Sequence, residues 1–192
     1  MNRVSIKIGS LALLLGLLFS CSETIDEGRG GSGLPLKYFP LGDFLQDQLS
    51  QLDGKEVHKV LRIGDDRREV VRQRLDREGW GKELELFLQA DLNKASLMDS
   101  YTVDETADRL THRLKDGEPG DVREMVIRRE NGRVLDISFA YKKDSYFYLS
   151  EGTGTLEIHP ESGLIQGYTV IGRQKIWFLP TNTMEVTARV TP

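Results

Sequence analysis

The chain has 192 residues, 26 of them basic and 30 acidic, so its formal net charge at pH 7 is −4. An acidic net charge with well-mixed positive and negative residues argues against a nucleic-acid-binding protein. The sequence contains one cysteine, which excludes an internal disulfide and a zinc site built from several cysteines.

Residues 1–20 have the organisation of a secretory leader. Arg3 and Lys7 form a basic start, and an apolar core follows over 8–19. This core is shorter than the roughly 20 residues that a membrane-spanning helix needs. Without residues 1–20, 24 basic and 30 acidic residues remain, a net charge of −6, which argues against attraction to anionic lipid head groups.

The single cysteine, Cys21, follows the apolar core directly, in the stretch Leu18-Phe19-Ser20-Cys21. This stretch resembles the lipobox of bacterial lipoprotein precursors. The resemblance implies cleavage before Cys21 and acylation of its thiol, and more than one acyl chain gives a stable membrane anchor. Ser22 is similar to the residue that sorts some lipoproteins of Gram-negative bacteria to the outer membrane. The alternative is a plain secreted protein in which the cysteine stands there by chance.

Residues 22–33 are polar and include four glycines, without apolar periodicity. This composition predicts a flexible tether with a reach of about 20 Å. The predicted organisation is therefore a lipoprotein signal peptide over 1–20, the lipidated cysteine and tether over 21–33, and a single folded domain over 34–192.

The folded part begins with two predicted helices. The first opens at Gly42-Asp43, with Asp43 as its N-cap, and Gly54 follows as its stop. The second runs over 80–92. Each helix carries apolar residues at helical spacing on one face. These residues are Leu41, Phe44, Leu45, Leu49 and Leu52 in the first helix, and Trp80, Leu84, Phe87, Leu88 and Leu92 in the second.

About ten short strands are predicted around and after the helices. They lie at 57–63, 69–75, 110–114, 125–128, 134–141, 146–149, 155–159, 164–171, 175–179 and 185–190. Asn131-Gly132 is the strongest hairpin signal, since both central positions of a type I′ turn need positive φ. Residues 102–106 are compatible with a strand or with a short helix.

The strands follow one another through tight turns without helical crossovers, which predicts an α+β fold with an antiparallel sheet. Ten strands in one sheet curl strongly, so we expect a curved sheet or half-barrel with the two helices packed on one face. This architecture looks like the half-barrel of periplasmic lipoprotein carriers and their outer-membrane acceptors. The likeness is one of architecture alone and implies an apolar cavity between helices and sheet.

No catalytic, metal or cofactor site can be assembled from the sequence. His58, His112 and His159 are far apart, and no Gly-x-Ser-x-Gly motif is present. The glycine-rich stretch 151–155 lies between strands, so it predicts a bulge or bend in a curved strand instead of a phosphate-binding loop. An envelope hydrolase is therefore the least favoured hypothesis.

Aromatic residues crowd the C-terminal half of the chain. In 146–148 and 177–178 successive aromatics should point to opposite faces of a sheet, so some of them should lie outside the core. The candidate binding surface consists of Tyr141, Tyr146, Tyr148, Tyr168, Trp177 and Phe178. The sequence thus favours a membrane-anchored, non-catalytic binding or assembly module, with an envelope protein or an apolar ligand as its partner. A carrier or acceptor of a lipid or other apolar ligand is the alternative.

Overall fold

Nine strands form one antiparallel sheet in the computed structural model, which describes residues 36–64 and 67–191. The predictions about the leader, Cys21, the tether and the turn residues Asp65 and Asp66 lie outside these residues. The strands are β1 (Glu56–Ile63), β2 (Arg67–Arg74), β3 (Tyr101–Glu105), β4 (Arg109–Leu114), β5 (Val122–Glu130), β6 (Arg133–Asp144), β7 (Tyr148–Ile158), β8 (Ile165–Ile176) and β9 (Asn182–Thr191).

Helical structure precedes β1 and separates β2 from β3. Helix α1 spans Leu41–Leu52, α2 spans Arg77–Glu83, α3 spans Glu85–Gln89, and a short 3-10 helix spans Ala95–Leu97. The prediction of an α+β fold dominated by an antiparallel sheet is confirmed. Among the described residues, no helix is long and apolar enough to cross a bilayer.

The strand order is β2-β1-β9-β8-β7-β6-β5-β4-β3, and every neighbouring pair is antiparallel. The last strand, β9, fits between β1 and β8, so the first and last strands are neighbours in the sheet. Strands β2 and β3 remain as its two edges, and the sheet is open. The helical segment 77–97 connects these two edge strands, so the chain passes from one edge of the sheet to the other through its helices.

The core of the described residues runs from Tyr38 to Ala188 and contains side chains from helices and strands. Trp80 and Phe87 are fully buried, and the Phe87 ring meets Phe139 of β6 edge-on at 5.5 Å. These buried side chains all come from residues 38–188, and we expect the chain from Ser22 onward to fold by itself.

The helix boundaries differ from the predicted ones. Helix α1 begins at Leu41, with Pro40 as its N-cap, so Asp43 lies in the first turn. The second predicted helix is two helices, because the chain departs from helical geometry at Leu84. Its N-cap is Asp76, whose carboxylate accepts a hydrogen bond of 2.8 Å from the backbone N–H of Gly79.

The strand count also differs, because the sequence predicts breaks at Gly152–Gly154 and at Gly172–Arg173. Both predictions are wrong. Gly152 and Gly172 are direct partners in the ladder between β7 and β8, and no register shift occurs there. The predicted bulge or bend at 151–155 has no register shift either, since β7 also pairs continuously with β6. The ambiguous segment 102–106 lies mainly in β3.

The predicted hairpin turn at Asn131-Gly132 is confirmed. The two residues have φ of 51° and 78°, as a type I′ turn requires. Among the described residues, Asn131 is the one non-glycine residue with positive φ. The turn is closed by the pairs Glu130–Arg133 and Arg129–Val134, and the register of β5 and β6 shifts between Arg128 and Arg129 and again between Val122 and Glu124.

Candidate functional site

A cleft of about 380 Å³ lies between the helices α2 and α3 and the strands β1, β8 and β9. Its apolar lining comes from one helix and three strands. These apolar residues are Leu61, Leu86, Val170, Met184 and Val186. Its volume lies within the range of small-molecule sites, which occupy about 300–1,000 Å³ and are mostly apolar with a few placed polar groups.

Three polar side chains lie together in the wall of this cleft. The ammonium of Lys59 in β1 donates to both carboxylate oxygens of Glu83, each over 2.7 Å. The hydroxyl of Tyr168 in β8 donates to Oε1 of the same carboxylate. Burial, together with this hydrogen bond, raises the pKa of the Tyr168 phenol, so the phenol stays protonated and acts as a donor. Glu83 therefore connects α2 to two strands of the sheet.

The position of these helices is determined by their flanking residues. The Asp53 carboxylate accepts a 3.0 Å hydrogen bond from the backbone N–H of Arg77, which links the end of α1 to the start of α2. Phe87 of α3 packs against Phe139 and against Tyr168, whose ring centre is 6.0 Å away. The centre of the molecule is therefore filled by side chains, and the open space lies beside α3.

A second groove, of about 600 Å³, lies along β6 to β9, toward the end of β6 and the start of β9. The glycine pair Gly152 and Gly172 forms part of its lining, together with Tyr141 and Met184. Met184 also lines the first cleft, so the two depressions share a wall. The absence of side chains at the two glycines leaves β7 and β8 close together, since a Cβ at Gly152 would collide with the carbonyl of Ile171.

The six predicted surface aromatics do not form one surface: Tyr146, Trp177 and Phe178 lie together, and the other three lie elsewhere. Tyr168 is buried at 2% exposure and belongs to the Glu83 cluster, so the prediction that it is a surface residue is wrong. Tyr141 is half-buried and lines the second groove, and Tyr148 is half-buried at the start of β7. Tyr146, Trp177 and Phe178 are exposed.

The exposed aromatics lie in turns, whereas the sequence predicts them in strands. Tyr146 lies in the turn between β6 and β7, and its ring centre is 5.1 Å from that of Phe147 and 6.2 Å from that of Trp177. Trp177 and Phe178 begin the turn between β8 and β9. Alternation across a sheet is therefore not the cause of their exposure, although the prediction of exposure is correct for these residues.

The histidines remain separate. His112 is buried in β4, where its Nε2 accepts a 3.2 Å hydrogen bond from the backbone N–H of Phe39. Its Nδ1 has no hydrogen-bond partner among the described residues. Burial lowers the pKa of His112 to about 4, which keeps it neutral. Within the described part of the chain, no cluster of three His, Cys, Asp or Glu residues could hold a metal ion.

The sequence contains one signal for the Glu83 cluster that is easily missed. Lys59 occupies the same side of β1 as the buried Val57 and the cleft residue Leu61, so a charged side chain interrupts an otherwise apolar face. Such a lysine requires a carboxylate partner nearby. The identity of that partner, Glu83, depends on the helix that folds over it, and no spacing rule connects the two positions.

Neither protein-family models nor curated proteins gave a match to this chain. Its function must therefore be inferred from the chemistry of the residues that the fold brings together.

Proposed function

We propose that this chain is a lipid-anchored, non-catalytic binding protein of the bacterial cell envelope. It binds an apolar or amphipathic ligand in the cleft beside α3. The observation that carries the proposal is the cleft itself, with five apolar side chains around it and the Lys59–Glu83 pair in its wall. Apolar surface takes up the hydrocarbon part of a ligand, while paired charges can orient a polar head. We infer that acylated Cys21 is the anchor and that, in a Gram-negative envelope, it holds the protein in the outer membrane.

The proposal includes a finer description of the architecture. We infer that the sheet curves into a half-barrel around its helices. This inference is supported by contacts from α1 to the turn before β8, through Gln48, and from α3 to β6 and β8, through Phe87. In such a half-barrel, the cleft beside α3 is the part of the concave face that side chains leave open.

A fluorescent apolar probe tests the cleft. The chain from Ser22 to Pro192 is titrated with N-phenylnaphthylamine, and Leu86→Trp is compared with wild type. Leu86 lines the cleft, so the larger side chain should fill it and weaken probe binding by about tenfold or more. Leu88→Trp is the matched control, because Leu88 is half-buried on the same helix and is not part of the cleft lining.

Native mass spectrometry of the acylated protein isolated from its own envelope provides a second measurement. A copurifying lipid or other apolar molecule that is lost in Leu86→Trp and retained in Leu88→Trp supports the proposal. Equal probe binding by both variants and wild type would overturn the cleft as the ligand site. A protein retained in place of a small ligand would instead indicate an assembly module.

A further inference from the structure

We propose that the exposed aromatic turns at one end of the sheet dock on an anionic lipid bilayer. This inference concerns a different surface from the cleft and does not require that the cleft bind a ligand. The surface, here named the aromatic tip, consists of Tyr146, Phe147, Trp177, Phe178 and Leu179. Their exposed fractions are 83%, 63%, 70%, 81% and 48%, respectively.

The aromatic tip is held in place by backbone hydrogen bonds. The N–H of Trp177 donates to the carbonyl of Phe147 over 3.1 Å, which joins the two turns to each other. The N–H of Ser145 donates to the carbonyl of Tyr148, and that of Leu179 donates to the carbonyl of Ile176. The backbone of both turns is therefore held in place while the aromatic side chains face solvent. The turns would not have to fold when the protein binds a membrane.

Two unpaired lysines, Lys143 and Lys175, flank the aromatic tip, although the chain as a whole is acidic. The segments 142–150 and 173–184 contain four basic residues and one acidic residue, whereas the whole chain has a net charge of −4. Lys142 pairs with Asp144 and Arg173 pairs with Glu151, so two of the four cations are already neutralised within the domain. The basic residues are Lys142, Lys143, Arg173 and Lys175. Lys143 and Lys175 are exposed and form no ion pair within the described residues. The overall charge argued against attraction to anionic lipid, but the fold gathers these cations at one end.

Aromatic residues flanked by lysines are the combination that favours the bilayer interface. Tyrosine and tryptophan place an apolar ring and a polar group at the level of the head groups. Lysine can lay its aliphatic part along apolar surface and keep its ammonium in the head-group region. An acidic protein partner would be attracted by the same cations, but it would not explain why the largest exposed rings are at the outermost turns.

The point where the chain joins the sheet is consistent with this orientation. The Lys37 ammonium contacts Asp99 at 2.5 Å, two residues before β3 begins at Tyr101. The Tyr101 hydroxyl donates over 2.8 Å to the carbonyl of Val122, the first residue of β5, and Val122 pairs with Tyr141 near the end of β6. The aromatic tip follows directly after the C-terminal end of β6. Lys37, the second residue that the structure describes, therefore lies toward the same end of the strands as the aromatic tip.

The test uses the non-acylated chain from Ser22 to Pro192, so that the anchor makes no contribution. It is mixed with vesicles of phosphatidylethanolamine and phosphatidylglycerol, and bound protein is measured by flotation. The Trp80→Phe background leaves Trp177 as the one tryptophan, since the sequence contains two. Docking should shift the emission of Trp177 to shorter wavelength, and vesicles of phosphatidylcholine alone should give a smaller shift.

Trp177→Ser combined with Phe178→Ser should lower the fraction bound by about tenfold or more, because two large apolar side chains are lost. The matched control is Val70→Ser combined with Val103→Ser, which removes two exposed apolar side chains, at 55% and 48%, from the edge strands. This control should bind as wild type does. Lys143→Glu combined with Lys175→Glu should weaken binding most at low salt.

Three results would overturn the inference. The first is a wild-type chain that neither floats with anionic vesicles nor changes its Trp177 emission. The second is equal loss of binding in the tip and edge variants. The third is a concentration-dependent dimer in light scattering that Trp177→Ser abolishes without any effect of lipid, since the aromatic tip would then bind a second copy of this chain. Far-UV circular dichroism of every variant verifies that it is folded.

Discussion

Gln48 of α1 accepts a 2.8 Å hydrogen bond from the backbone N–H of Ile165, the first residue of β8. The same side chain donates to the carbonyl of Gly163 over 3.0 Å. Gln48 is buried at 4% exposure, so its amide satisfies two backbone groups that water does not reach freely. One side chain thus joins the first helix to the turn between β7 and β8, across 117 residues of sequence.

Gln48→Leu should therefore lower the free energy of unfolding by about 1–3 kcal/mol, because it leaves the Ile165 N–H and the Gly163 carbonyl without partners. Gln46→Leu is the control. It makes the same change at an exposed position of the same helix and should cost less than about 0.5 kcal/mol. Urea denaturation monitored by circular dichroism measures both. Equal stability of the two variants would mean that the Gln48 bridge contributes nothing.

The Glu83 cluster gives a second prediction. Glu83→Gln removes the counter-charge of Lys59, whose side chain is 22% exposed, and should destabilise the fold by about 2–3 kcal/mol. Tyr168→Phe removes one hydrogen bond and should cost about 1 kcal/mol. The double variant should cost less than the sum, since both changes act on one carboxylate.

Glu78→Gln serves as the control for this cluster. Glu78 pairs with Lys82 on the same helix, but their side chains are 78% and 74% exposed. An exposed pair is screened by solvent and contributes little, so the loss should be much smaller than that of Glu83→Gln. Denaturation curves of wild type and the four variants measure these losses, and a Glu83→Gln variant as stable as Glu78→Gln would contradict the prediction.

Because His112 is buried, we expect the free energy of unfolding to fall in acid. Its folded pKa of about 4 lies below its ordinary value of 6.5 because of burial, while Glu105 and Arg129 act in opposite directions. Above pH 6.5 both the folded and the unfolded states hold neutral histidine. As the pH falls from 6.5 to about 4, the unfolded state takes up a proton first, so the free energy of unfolding decreases by about 1.4 kcal/mol per pH unit, or about 3 kcal/mol in all.

His112→Gln keeps an acceptor for the Phe39 N–H and removes the titrating group. Its stability should fall less steeply than that of wild type between pH 6.5 and 4. Urea denaturation at several pH values measures the difference. His58→Gln, at a half-buried position in β1, shows whether the loss of any histidine has the same effect. Parallel pH profiles of wild type and His112→Gln would rule out the buried imidazole as the cause.

The glycine pair of β7 and β8 gives a fourth prediction. Gly152→Ala should cost about 1–3 kcal/mol, because its Cβ would collide with the backbone carbonyl of Ile171, which cannot move aside as a flexible side chain can. Gly81→Ala is the matched control. Gly81 lies within α2, nothing lies within 4 Å of a Cβ placed there, and the helix should gain about 0.5–1 kcal/mol. Melting temperatures that fall in Gly152→Ala and rise in Gly81→Ala are the expected result.

Local patterns in the sequence predicted much of the fold. The apolar stripes of the two predicted helices are largely buried, and Asn131-Gly132 forms the predicted turn. These features depend on residues within a few positions of each other, so spacing alone reveals them. Gly172 shows where local patterns fail. A glycine in a polar stretch predicts a turn, yet here it extends a strand, because its partner across the ladder is another glycine.

The candidate site could not be predicted to the same extent. Lys59, Glu83 and Tyr168 are separated by 24 and 85 residues in the sequence. Tyr168 was predicted to lie on the surface with Tyr146, since both are aromatic residues in a β-rich region. Their environments differ because Glu83 of α2 packs over Tyr168, which is 2% exposed, whereas Tyr146 remains 83% exposed in its turn.

By itself, the sequence determined the class of fold, the main helical faces, one hairpin turn and the expectation of a lipid anchor at Cys21, because each depends on neighbouring residues. The tertiary structure decided the strand order, the cleft beside α3, the pairing of Lys59 with Glu83, and the separation of the exposed aromatics from the buried Tyr168. These depend on which distant segments pack together. Packing is chosen by the burial of apolar surface over the whole chain, which no short stretch of sequence specifies.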